Sequence, residues 1–372
     1  METLKQNSNV LLFTLEYPPA IGGVANYYGN LVKYWPDGEI QILAGEKLIK
    51  PHWLFGLWHL WRAIRKFDIK IVLVGQILPL GTVAWLLSRV PGVKFNYVVF
   101  LHGLDLTSAL KVPRKKKLTG KILAGAQKII AANSYTAKLA REIVEQGKIE
   151  VINPGVDRRI TDNAQLITQI KEKYNLQRKL VLLQVGRLVA RKGVDKVLEA
   201  FTVETRHGAS LLKECPNLIY VIIGNGPATS NIQYLISKHN IQNNVLLITN
   251  ADDSEVNSWY ELCDIFIMPA RNIDGDFEGF GIVYLEANAY GKPVIAGDSG
   301  GVRDAVQNGV NGLLVDPESV EEISNAIIKL AQDESLRKKL GEQGRERARQ
   351  FNWQVQVEKV MKALKQVCLK IS

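Results

Sequence analysis

Apolar residues in this chain cluster in short runs, separated by longer stretches with helical spacing. NVLLFTL (9–15), IQILAG (40–45), IVLVG (71–75), NYVVFLHG (96–103), KIIAAN (128–133) and IEVINPG (149–155) read as strands of a first half. LVLLQVG (180–186), LIYVIIGNG (218–226), NVLLITN (244–250), IFIMPA (265–270) and KPVIAG (292–297) read as strands of a second. Most of these runs are continuous rather than alternating, as in parallel strands covered on both faces. Strand, helix and strand follow one another through both halves. That order predicts an α/β fold with two doubly wound, Rossmann-like domains facing across a cleft. The boundary is expected between Asn153 and Lys179, where the chain turns polar, and it is set at residue 170. The stretch from Asp333 to Ser372 reads as two charged helices broken at FNW, 351–353.

Composition narrows the class. With 372 residues, 47% hydrophobic and 23% charged, the chain can bury a large core. The start METLKQNSNVLLFTL reads as a first strand, not a signal sequence, and no run reaches the roughly 18 apolar residues of a membrane span. Cys215, Cys263 and Cys368 form no metal spacing, which suggests a reducing cytoplasm. The net charge of +10 is uneven: residues up to Arg178 carry about +12 and the rest about −2. A basic half of this kind suits an anionic surface.

The candidate chemistry lies at strand ends. In DGDFEGFGIVYLEANAYGKPVIAG (274–297), Gly279 and Gly281 follow Glu278, a helix is expected from near Phe280, and Glu286 falls within it. A helix start offers free N–H donors and partial positive charge, and glycines let a phosphate approach. In VGRLVARKG (185–193), Arg187 and Lys192 are two cations able to neutralise a diphosphate. Gly22 and Gly23 open the first helix, His102 ends the strand FLHG, and Gly224 and Gly226 follow another strand in IIGNGP. DGD at 274–276 has the spacing of a metal-binding pair of carboxylates but reads as a solvated loop.

These residues carry a resemblance. EGFGIVYLE resembles the E-x7-E motif of retaining GT-B glycosyltransferases of family 4, and GDFEGFGIVYLEANAYGKPVIAGDSGGVRDAVQNGVNGLLVDP resembles the block around it. The likeness covers nearly the whole chain. It is strongest to phosphatidylinositol mannosyltransferases and polysaccharide α-mannosyltransferases. It implies a donor-binding domain at 171–352 and an acceptor-binding domain at 1–170, with the helix 353–372 packing back on the latter. It implies that Glu278 binds donor-sugar hydroxyls and Glu286 the ribose. Arg187, Lys192 and the backbone at Phe280 and Gly281 would take the diphosphate. Gly22 and Gly23 would approach the donor phosphates, and His102 the transferred sugar. Gly224 and Gly226 would let the nucleotide lie close. No metal and no cofactor is implied, the nucleotide-sugar being a substrate. The base is read in such enzymes near LLITNADD, where this chain has Thr249 in place of a frequent glycine. The mannosyltransferase likeness points to GDP-mannose, with UDP-glucose, UDP-galactose and UDP-N-acetylglucosamine as alternatives.

KPHWLFGLWHLWRAIRKF (50–67) reads as an interfacial helix with Trp53, Trp58 and Trp61. Leu54, Trp58, Trp61 and Arg65 are expected near one face, and His59, Arg62 and Lys66 near the other. Arg114, Lys115, Lys116 and Lys117 form a second basic patch. Together they predict docking on the anionic inner face of the cell membrane and a lipid-linked or glycan acceptor. No nucleic-acid-binding module is recognisable. Two rival classes remain. An epimerase would need further carboxylates as acid and base, and none are placed for it. A non-catalytic membrane-binding protein would leave Glu278, Glu286, Arg187 and Lys192 without a task.

Overall fold

The computed structural model describes residues 9–20, 22–36, 38–45, 52–157, 163–202 and 211–368. The chain divides into two units, one of 1–155 with 353–372 and one of 156–352. The first contains a parallel sheet of β1 (Val10–Thr14), β2 (Ile40–Ala44), β3 (Ile71–Val74), β4 (Asn96–Leu101), β5 (Lys128–Ala131) and β6 (Ile149–Val151), in the order β2-β1-β3-β4-β5-β6. The second contains β7 (Leu180–Val185), β8 (Leu218–Ile223), β9 (Val245–Ile248), β10 (Ile265–Met268), β11 (Val294–Gly297) and β12 (Gly312–Val315), in the order β12-β11-β10-β7-β8-β9. The strand β12 was not anticipated: GLLV is four residues long between turn-forming neighbours, too short to signal by periodicity.

The continuous apolar runs have a simple cause. Each strand sends alternate residues to opposite faces, and helices cover both. In the first unit Phe13, Val72, Val74, Val99 and Leu101 face a core shared with Leu60, Val83, Leu106 and Ile122. Leu12, Leu73, Val98 and Phe100 face the other, with Tyr27, Tyr28 and Leu31 of the helix Gly23–Lys33. That second core is completed by the helix Trp353–Cys368, which contributes Trp353, Val357, Val360 and Leu364. In the second unit Leu183, Val221 and Met268 pack with Trp259 and Tyr284, while Leu182, Ile222 and Ile267 pack with Val197, Ile232 and Ile327.

Val156 and the described residues 163–170, placed by the sequence in the first domain, belong to the second unit. Val156 and Ile170 are buried in the core around Trp259, and Val156 N–H donates to the Phe351 carbonyl at 2.7 Å. In each sheet the strand order reverses next to the first strand, between β1 and β3 and between β7 and β10. Ligands of doubly wound sheets bind outside the carboxyl ends of strands at such a reversal. Cavities of about 350 Å³ lie elsewhere, at the strand starts around Leu180, Leu218 and Asp264 and around Asn96 and Tyr97.

Gly155 shows how tightly the last helix is seated. A Cβ there would lie 2.6 Å from Trp353. Gly155→Ala is expected to destabilise the first unit by about 1–3 kcal/mol through overpacking. Urea denaturation compared with wild type checks this, and an unchanged midpoint would remove the Trp353 contact from the account.

Candidate active site

In the second unit the site grows from the loop after β7. A short 3₁₀ turn, Ala190–Lys192, ends at Gly193, whose φ of 71° is left-handed. A Cβ on Gly193 would stand 2.3 Å from the Pro269 carbonyl oxygen, so the turn presses against the end of β10. Gln184, buried on β7, donates to the Lys192 carbonyl at 3.0 Å and accepts from the Tyr220 hydroxyl at 2.5 Å. The turn therefore aims its side chains from a fixed base. Lys192 is 9% exposed, and its Nζ lies 2.6 Å from Glu278 Oε2. Arg191 Nη1 lies 2.5 Å from the same oxygen, and Arg191 Nε lies 3.1 Å from Asp276 Oδ1. Burial alone would raise the Glu278 carboxyl, but Lys192 and Arg191 overcome it and hold the group at about 2. Its contribution to stability is present above its unfolded value and lost as pH falls toward 2.

The sequence motif proposed Arg187 and Lys192 as the pair. That role concerns a diphosphate; at the Glu278 carboxylate the structure joins Lys192 with Arg191. Arg187 is exposed and has no ion-pair partner among the described residues. Arg191 was missed because the motif leaves its position open, although its place next to Lys192 was a signal. In DGD, Asp276 spends its carboxylate on Arg191.

After Glu278 the chain bends through Gly279 and Phe280. The helix is Ile282–Ala289, capped by Gly281 at φ 74°, so it starts two residues later than expected near Phe280. The reason is packing: Phe280 is buried, with its ring 5.6 Å from Phe351. The Glu278 carbonyl accepts the Gly301 N–H at 3.0 Å, which fixes the backbone on the other side. Glu286 lies on the helix and accepts the Tyr260 hydroxyl at 2.8 Å. Tyr260 stacks on Tyr290 at 5.8 Å, and burial followed by Glu286 keeps its hydroxyl protonated as a donor. Sequence reasoning missed Tyr260, since nothing in the motif marks it. Gly224 and Gly226 have a neighbour that explains them. Added Cβ atoms would sit 2.0 Å from the Gly186 carbonyl oxygen and 2.3 Å from that of Leu188. Their lack of side chains lets two strand-end loops pack backbone to backbone. Thr249 follows β9 and is exposed.

In the first unit Gly22 and Gly23 begin the helix Gly23–Lys33, and a Cβ on Gly23 would meet nothing within 4 Å. The backbone there is open. His102 follows β4. Tyr28 donates its one hydroxyl proton to the Gly75 carbonyl at 2.9 Å, so the 2.8 Å contact with His102 Nε2 requires that nitrogen to be the donor. Burial lowers the ring to about 4, so it is neutral at pH 7. The remaining Nδ1 is a lone-pair acceptor with no partner among the described residues, suited to a hydroxyl and not to a phosphate oxygen. Asp105 receives the His102 and Gly103 N–H groups at 3.2 and 3.0 Å and so sets the turn. Burial raises its carboxyl to about 6.

The tryptophan helix is His52–Phe67, and the side chain of Trp53 lies outside the described residues. Leu60 and Ile64 are buried, while Leu54, Trp58 and Trp61 are 50%, 50% and 38% exposed. The expected split of cations between two faces is corrected. Arg62 lies over the Trp58 ring at 5.3 Å and Arg65 over Trp61 at 5.0 Å, with Lys66 also exposed, in one outward band. A spacing of four residues sets each arginine beside its tryptophan. Arg114, Lys115, Lys116 and Lys117 are exposed on the helix Pro113–Gly125. No helix among the described residues is long and apolar enough to cross a membrane.

Two parallel six-stranded sheets with helices, each reversing strand order beside its first strand, match the GT-B architecture of glycosyltransferases. A sequence model described as "Glycosyltransferase Family 4" matches residues 5–159, and one described as "Glycosyl transferases group 1" matches 167–347. The chain belongs to this family. It is 28% identical to a GDP-mannose-dependent alpha-(1-6)-phosphatidylinositol monomannoside mannosyltransferase of Mycobacterium tuberculosis, over 91% of this chain and 93% of that one. It is 25% identical to the GDP-mannose-dependent monoacylated alpha-(1-6)-phosphatidylinositol monomannoside mannosyltransferase of Corynebacterium glutamicum, over 97% and 99%. Among solved structures, HepE of Anabaena in complex with UDP matches with a TM-score of 0.80 at 16% identity, over 96% and 100% of the two chains.

The neutral His102 gives a pH signature. The unfolded ring titrates near 6.5 and the folded ring at about 4, so between those values the unfolded chain takes up a proton that the folded chain refuses. Stability from this group is lost as pH falls through that window. Asp105 acts in the opposite sense below about 6. His102→Gln is therefore expected to lose less stability than wild type between pH 7 and pH 5, by urea denaturation. Parallel losses in the two proteins would contradict the neutral assignment.

Proposed function

We propose that this chain is a retaining hexosyltransferase that moves a sugar from a nucleotide diphosphate to a lipid-linked or glycan acceptor, without a metal ion. The observation that carries the reading is Glu278 held ionised by Lys192 and Arg191 at the carboxyl ends of β7 and β10. A carboxylate accepts sugar hydroxyls, and adjacent cations stabilise the charge that develops on a leaving diphosphate. Arg187, exposed in the loop after β7, supplies a further cation. Glu286, oriented by Tyr260, takes the ribose hydroxyls. The bond between the anomeric carbon and the phosphate oxygen breaks while the acceptor oxygen forms the glycosidic bond on the same face. The acceptor's proton passes to the departing phosphate. His102, neutral and accepting at Nδ1, receives a hydroxyl of the transferred sugar.

GDP-mannose is the proposed donor, since the mycobacterial and corynebacterial relatives are named for it. A thermal-shift panel of GDP, UDP and ADP and their sugars, with and without EDTA, tests this. Ligand at 100 times its Kd stabilises the folded state by about 2.7 kcal/mol. A rise in Tm with GDP and GDP-mannose that survives EDTA is the expected outcome. A rise with UDP alone keeps the class and replaces the donor, and no rise with any nucleotide overturns the site.

The exposed band of Trp58, Trp61, Arg62, Arg65 and Lys66, with Arg114 to Lys117, supports docking at the inner face of the cell membrane from the cytoplasm. Rings of this kind settle at the headgroup level, and each cation near an anionic surface contributes about 1 kcal/mol. The protein is expected to sediment with vesicles containing anionic phospholipid and not with zwitterionic ones. Arg62→Gln/Arg65→Gln should weaken that binding by about 2 kcal/mol. Equal binding to both vesicle types would sink the membrane reading and leave the enzymatic one standing.

A further inference from the structure

Two cations converge on a single oxygen of Glu278, and they are not equivalent. Lys192 ends in a point charge on a flexible stem, able to move between a carboxylate and a phosphate. Arg191 is a planar fork, and it is pinned. Its Nη1 holds Glu278 Oε2 at 2.5 Å, its Nε holds Asp276 Oδ1 at 3.1 Å, and its carbonyl accepts the Arg271 N–H at 2.8 Å. Asp276 is itself tied by paired backbone hydrogen bonds with Ile273 at 2.9 and 3.0 Å. The Glu278, Lys192 and Arg191 side chains are 12%, 11% and 21% exposed, so a carboxylate deprived of both partners would be a stranded, poorly hydrated charge. Glu278 Oε1 meanwhile has no partner among the described residues.

We propose that Arg191 is a positioning residue that keeps Glu278 ionised and aimed when Lys192 leaves it for the donor diphosphate, so that Glu278 can accept the hydroxyls of the donor sugar. This rests on the reading that a sugar nucleotide binds this unit. The arrival of the diphosphate draws Lys192 away and half releases Oε2, while Oε1 is already open. Arg191, held by Asp276, stays in place. The carboxylate then faces a neutral polyhydroxyl group, for which it is an acceptor on two oxygens. Arg191 thus acts through Glu278 on the sugar, whereas Lys192 acts on the phosphates directly. Asp276 finds its use as the arginine's second anchor.

The test has two arms on the full chain. The first needs no nucleotide. Glu278→Gln is introduced into wild type, into Lys192→Gln, and into Lys192→Gln/Arg191→Gln, and Tm is read. The substitution is expected to lower Tm in the first two backgrounds and to raise it in the third, where it removes a stranded charge. A rise already in the Lys192→Gln background would show that Arg191 does not hold the carboxylate, and the proposal falls. The second arm compares a nucleoside diphosphate with its sugar derivative, by calorimetry and by the separation of KM from kcat. Lys192→Gln is expected to weaken both ligands by about tenfold or more, the size of a lost charged hydrogen bond. Arg191→Gln should leave the nucleoside diphosphate within about threefold, weaken the sugar derivative by about tenfold and lower kcat. Arg191→Lys should recover part of both losses. If Arg191→Gln weakens the nucleoside diphosphate as much as Lys192→Gln does, Arg191 is a phosphate ligand and the proposal is wrong. If wild type binds no nucleotide, the donor reading fails, and the Tm comparison still decides whether Arg191 holds Glu278.

Discussion

A carboxylate taken out of water must be compensated, and the second unit is arranged around that requirement at Glu278. Lys192 and Arg191, neighbours in the 3₁₀ turn after β7, both reach it. The turn holds its shape because Gly193 tolerates a left-handed backbone against Pro269 and because Gln184 bonds the Lys192 carbonyl. Gln184 in turn is fixed by Tyr220, one strand away. A chain of buried contacts, running from β8 through β7 to the loop after β10, thus sets the place of one charge. An ionic group held in this way gains geometric definition more than stability.

The first unit solves a different problem with a neutral group. His102 is kept uncharged by burial and given one tautomer by Tyr28, whose own proton is committed to Gly75. The result is an acceptor on one unit and a cation-lined carboxylate on the other. Both stand at carboxyl ends of strands, His102 after β4 and the carboxylate after β10, beside the reversal between β7 and β10. Those are the places where backbone turns leave polar groups facing outward from a buried sheet.

Much of this was legible in the sequence, for identifiable reasons. Eleven of the strands announced themselves because burial on both faces requires unbroken apolar runs, and β12 escaped because four residues carry too little signal. Glu278, Glu286, Lys192 and His102 stood out because glycines or strand ends mark their surroundings. The helix start was misplaced by two residues because Phe280 is drawn into the core by Phe351, a contact 71 positions away in the chain. Arg191 and Tyr260 act through side-chain contacts made after folding, and no local pattern encodes these. The faces of the tryptophan helix were drawn wrongly, although the spacing of Trp58 to Arg62 and of Trp61 to Arg65 contained the answer. The unit boundary falls within the expected interval, Asn153 to Lys179, but ahead of residue 170, because the polar segment after Gly155 hides Val156 and Ile170, both core residues of the second unit.

The helix Trp353–Cys368 makes the first unit discontinuous in sequence, with the whole second unit inserted before its last piece. During synthesis, the face of the first sheet bearing Leu12, Leu73, Val98 and Phe100 is built early and stays incompletely covered until Trp353, Val357, Val360 and Leu364 leave the ribosome. The second unit, continuous from 156 to 352, has all its residues before that moment. The half that begins the chain is therefore the half that matures last, and its final helix serves as the closing stave of a core laid down some three hundred residues earlier.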